Sequence, residues 1–95
     1  MAELSMTIED MADLMDRFWH TAQYFQEASD DLGKIIALVK ADGLNGQVGE
    51  MILTSLTQLQ DKLKKAATKF GAIGNALERV MVDLRKTDGV VSTSF

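Results

Sequence analysis

The chain has 95 residues and a formal charge of −4, which allows one small domain and argues against the basic face of a nucleic-acid binder. It has no cysteine and no proline, so disulfide and thiolate chemistry are excluded and long unbroken helices are favoured. No run approaches the roughly 18 apolar residues of a membrane span, so stable membrane insertion is not expected. The start, Met1-Ala2-Glu3-Leu4-Ser5, is acidic where a signal peptide would be basic. Synthesis in the cytoplasm without a cleaved leader is the expectation.

The chain opens on a short irregular arm. Thr7 is a favourable N-cap, and Asp10 stands three residues on, where its carboxylate can reach back in a capping box. Met6 and Met11 have the spacing of a hydrophobic staple, while Glu9 and Asp10 occupy the first turn, where negative charge suits the helix dipole. From there Ile8, Met11, Met15, Phe18, Ala22, Phe25, Ser29, Leu32, Ile36 and Val39 recur at three-four spacing. Only Ser29 is polar. This pattern predicts an amphipathic helix over about 8–41, roughly 50 Å long at 1.5 Å per residue. Gly33 is its weak point.

Asp42-Gly43-Leu44-Asn45-Gly46 is a cluster of turn formers and marks the reversal at 42–46. A second helix is predicted over about 47–86. Its stripe reads Ile52, Leu56, Leu59, Leu63, Ala66, Phe70, Ile73, Leu77, Val80 and Leu84. Gly71 and Gly74 lie inside it, which implies either tolerated drift or the close approach of a bulky neighbour or a second chain to the backbone there. Gly89 is a natural stop, and Val90-Val91-Ser92-Thr93-Ser94-Phe95 reads as a flexible tail over 89–95.

The fold expected is all-α: an antiparallel two-helix hairpin in one domain, dimerising into a four-helix bundle. A tight turn sets Phe18 beside Phe70, Ala22 beside Ala66 and Phe25 beside Leu63. A half-heptad slip would instead put Ala22 over Phe70. Residues 1–41 carry eight acids against three bases, and residues 47–88 carry five acids against seven bases, so the two helices should attract weakly. Leu14, Trp19, Ile35, Leu53 and Met81 fall off the predicted seam, as do Leu38 and Ala67. A flank of that kind suits a dimer interface.

Nothing in the chain forms a catalytic constellation, and enzymatic activity is not expected. His20 is the only histidine and falls opposite the core stripe. A zinc site would need carboxylates gathered from both helices. Asp30-Asp31 and Glu9-Asp10 are adjacent pairs that diverge on a helix. Gly46-Gln47-Val48-Gly49 lacks the preceding strand and the lysine of a phosphate loop. Lys62, Lys64, Lys65 and Lys69 read as a solvated face rather than an anion site. No cofactor or metal is expected.

The chain resembles the WXG-motif substrates of type VII secretion, the early-secreted-antigen family, over nearly its whole length. Members of that family have a Trp-x-Gly at the turn. Leu44-Asn45-Gly46 occupies that place here, followed by Gln47-Val48-Gly49-Glu50-Met51-Ile52. The family also has a Tyr-x-x-x-Asp/Glu export element at the end of the second helix, where Leu84-Arg85-Lys86-Thr87-Asp88 keeps the acid and the spacing. Gly46 and Asp88 match, while Leu44 and Leu84 depart. The resemblance implies a secreted helical hairpin that pairs with itself or with a paralogous hairpin and is recognised by a type VII secretion ATPase. Lacking both aromatics, this chain either draws on a partner's tryptophan or has left export. The alternative is a cytoplasmic coiled-coil adaptor or chaperone that holds a partner helix on the Trp19 flank.

Overall fold

A computed structural model describes residues 3–41, 46–85 and 90–94, with side chains placed over 6–41 and 46–85. In chain order the elements are β1 (Glu3–Thr7), α1 (Ile8–Ala41), α2 (Gly46–Arg85) and β2 (Val90–Ser94). The two helices pack against each other as a hairpin, as the paired stripes predict.

Local chemistry explains where the helices begin. The Asp10 N–H donates to Thr7 Oγ1 at 3.1 Å, and Asp10 Oδ2 reaches back toward the Thr7 N–H at 3.5 Å. These two contacts form a capping box that satisfies amides otherwise left without partners. Gly46, the first residue of α2, has φ of +84°, a left-handed conformation that a Cβ strongly disfavours. The other turn-motif residues, Leu44 and Asn45, lie outside the described residues, as does Asp88.

The chain divides into two compact units, Met1–Thr21 with Phe70–Phe95 and Ala22–Lys69, called here the terminal unit and the turn unit. In the terminal unit Met11 and Met81 are buried, and the Phe18 and Phe70 rings lie 5.7 Å apart at 31°. That contact selects the tight-turn register over the slipped one. In the turn unit Ser29, Ile36 and Ala67 are buried, and Gln60 Nε2 donates to the Ser29 carbonyl at 3.1 Å.

On α1 every residue of the predicted stripe is buried or half-buried. On α2 the structure corrects the prediction. Leu56, Leu63, Phe70, Leu77 and Leu84 face inward as expected, but their companions are Gly49, Leu53, Gln60, Ala67, Gly74 and Met81. Of the alternating set predicted to be buried, Ile52, Leu59, Ile73 and Val80 are 37, 47, 44 and 40% exposed, while Ala66 is half-buried as predicted. The actual seam follows 49-53-56-60-63-67-70-74-77-81-84, a strict heptad. It takes in a glutamine and two glycines and leaves out a leucine, two isoleucines and a valine.

The irregular arm and frayed tail expected at the two ends are also corrected. β1 and β2 pair antiparallel from Glu3 with Ser94 through to Thr7 with Val90, forming a two-stranded sheet in the terminal unit. The strands satisfy the backbone groups on each other's facing edges, which an unpaired tail would leave to water. Charge does not hold the seam. The ion pairs among the described residues are Asp13–Arg17, Asp31–Lys34 and Asp61–Lys65, each within one helix.

Candidate functional site

The seam has little hydrocarbon at Gly49, Gln60 and Gly74 on α2, and a specific contact fills each of the last two. In the terminal unit Trp19 lies over Gly74, where an added Cβ would come 2.4 Å from the ring. Its indole N–H donates to Asn75 Oδ1 at 3.1 Å. This settles the meaning of one helical glycine: a bulky neighbour does approach the backbone. In the turn unit Gln60 crosses to the Ser29 carbonyl over Gly33, where an added Cβ would sit 3.0 Å from Gln60 Nε2. Ser29 is fully buried, and its hydroxyl has no partner among the described residues.

With α2 held by these contacts, its more hydrophobic column is turned outward in both units. Ile73 and Val80 are exposed in the terminal unit, and Ile52 and Leu59 in the turn unit. Val48 and Met51 are 66 and 63% exposed beside Ile52. Val48, Met51, Ile52, Ser55 and Leu56 line an open groove of about 370 Å³. On α1 the turn unit adds Ile35 and Leu38, 45 and 63% exposed. Contiguous exposed apolar surface is a recognised mark of association, whereas single exposed hydrophobes are ordinary. Covering the part of one such side chain that is still exposed is worth roughly 0.6–2 kcal/mol.

Of the five residues read as an exposed flank, Leu14, Trp19, Ile35, Leu53 and Met81, Ile35 is exposed. Met81, 5% exposed, belongs to the core, and Leu53 is half-buried in the seam. Trp19 is half-buried and engaged within its own unit. Ala67, also read as off-seam, is buried. Leu14 is half-buried, and Ile35 remains exposed as expected. Leu14 and Ile35 each precede a seam residue, Met15 and Ile36, whereas Trp19 follows Phe18. They lie on opposite sides of the α1 stripe. The exposed column on α2 is visible in the sequence as hydrophobic, but its direction is not.

The polar candidates are simple. His20 is exposed and its Nδ1–H donates to the Asp16 carbonyl at 2.8 Å. Within the lysine group, Lys65 pairs with Asp61 at 2.9 Å. Leu84 is half-buried at the end of the α2 seam. No helix among the described residues is long and apolar enough to cross a membrane. Compared with family models, with curated proteins and with solved structures, the chain matches none.

Proposed function

We propose that this chain is a non-enzymatic helical hairpin that acts by pairing with a second hairpin, as a type VII secretion substrate or as the dimer partner of one. The observation that carries this reading is the outward column of α2, Ile52, Leu59, Ile73 and Val80, on a hairpin whose seam is already complete without it. An isolated hairpin gains nothing from exposing those side chains, whereas a four-helix bundle buries them. The secretion half of the reading rests on the resemblance of Leu44-Asn45-Gly46 and Leu84 to Asp88. The left-handed backbone at Gly46 gives a physical reason for glycine at that place. The adaptor reading needs Trp19 as its docking side chain, and that ring is held by Gly74 and Asn75.

Two measurements test the two halves. Sedimentation at micromolar concentration should report a dimer, and Leu59→Asp should shift it to monomer with helix content retained. In a host with an active type VII system the wild-type chain should reach the medium, and Asp88→Ala should be retained in the cells. Equal secretion of both would remove Asp88 as a signal. Secretion of neither, with a dimer still present, would favour a cytoplasmic partner.

A further inference from the structure

α2 has two ways to meet α1. Leu56, Leu63, Phe70, Leu77 and Leu84 serve in both. They can be joined by Leu53, Gln60, Ala67, Gly74 and Met81, as observed, or by Ile52, Leu59, Ala66, Ile73 and Val80. At 3.6 residues per turn, exchanging one column for its neighbour while keeping the other makes the two arrangements differ by a roll of about 50° about the helix axis. On hydrocarbon alone the second should win, because it buries leucine in place of glutamine and isoleucine in place of glycine. The structure takes the first. The contacts that distinguish it are Trp19 over Gly74 with its bond to Asn75, and Gln60 on the Ser29 carbonyl beside Gly33.

We propose that Gln60 and Trp19 set the roll of α2, and that this roll reserves the Ile52, Leu59, Ile73 and Val80 column for a second copy of this chain. The roll stands on the seam contacts alone; the occupant rests on the pairing proposed above. Charge identifies that occupant. Residues 1–41 are strongly acidic and residues 47–88 are basic, yet the ion pairs among the described residues all stay within one helix. Lys62 and Lys69, each three residues beyond Leu59 or Ala66, border the column and are exposed, as are Asp16, Glu27 and Asp30 on α1, and none of the five has an ion-pair partner among the described residues. A two-fold axis that lays α1 of one copy against α2 of the other sets an acidic helix against a basic one.

Because the chain has no cysteine, a single introduced thiol reports burial without interference. In dilute, monomeric protein, Ala67→Cys should react slowly and Leu59→Cys quickly, as their exposures of 7 and 47% require. Adding Gln60→Ala to each should reverse the order, with the thiol of Ala67→Cys reacting at least tenfold faster and that of Leu59→Cys more slowly. The dimer should then dissociate at tenfold higher concentration or more, because its column has turned inward. A roll moves the two thiols in opposite directions, whereas general loosening exposes both. Loosening of both, or an unchanged order in a folded Gln60→Ala protein, overturns the roll. Gln60→Met, which keeps the bulk and loses the hydrogen bond, should show the same reversal more weakly and covers the case where the alanine variant does not fold. In the terminal unit Trp19→Ala should likewise speed the reaction of a thiol introduced by Met81→Cys. A wild-type chain that stays monomeric while the thiols reverse overturns the second copy and the pairing reading together, and leaves the roll standing.

Discussion

Gly33 and Gly74 are both helical glycines facing a side chain, yet they should respond differently to alanine. Alanine brings about 1 kcal/mol of helix propensity at either position. At Gly74 the new methyl meets the Trp19 ring at 2.4 Å, and overpacking of a rigid aromatic costs about 1–3 kcal/mol. Gly74→Ala should therefore lower stability in urea unfolding. It should also red-shift the emission of Trp19, the single tryptophan. At Gly33 the neighbour is the end of the Gln60 side chain at 3.0 Å, which can move aside. Gly33→Ala should be near neutral, the helix gain offsetting a weakened hydrogen bond. Ser29→Ala should stabilise. It removes a buried hydroxyl that has no partner among the described residues, a penalty of about 1–3 kcal/mol. A rise of about 4–8 °C in melting temperature for each kcal/mol is the expected readout.

The two helices show how much a sequence discloses at the scale of an element. The α1 seam is readable to the residue, because one set of apolar positions dominates and Ser29 alone interrupts it. The α2 seam is half readable. Its leucine column stands out, but periodicity weighs each helix separately and prefers Ile73 to Gly74 and Leu59 to Gln60. The deciding contacts are pairwise, tryptophan into glycine and glutamine onto a carbonyl, and no property of α2 alone contains them. The strands escape a local reading for a related reason. Val90–Ser94 is short and rich in serine and threonine, and it becomes a strand only by meeting Glu3–Thr7 from the other end of the chain. The start of α2 gives a test at the same scale. Gly46 at φ +84° means that Gly46→Ala should cost about 1–2 kcal/mol, read as a lower denaturation midpoint with an unchanged slope.

At the scale of the molecule, apolar cover and charge should separate in kinetics. The outward column is hydrocarbon and should govern how long a dimer lasts, while the opposed charges of α1 and α2 should govern how quickly it forms. Raising ionic strength from about 0.01 to 0.15 M shortens the screening length from roughly 30 to 8 Å. Rapid-mixing experiments should accordingly show several-fold slower association with dissociation almost unchanged. A large change in dissociation instead would mean that ion pairs, not the column, hold the two copies together.

The pairing of β1 with β2 also has a mechanical meaning. Glu3 stands opposite Ser94 and Thr7 opposite Val90, so the outermost pair of the ribbon is also the one nearest both chain ends. Tension applied across the two ends runs perpendicular to the strands at that pair and loads the cross-strand bonds one rung at a time. The ribbon should open like a zip, at low force and from the outside inward, delivering the pull next to the first turn of α1. In an optical trap the first event should be a small extension that precedes loss of the helices.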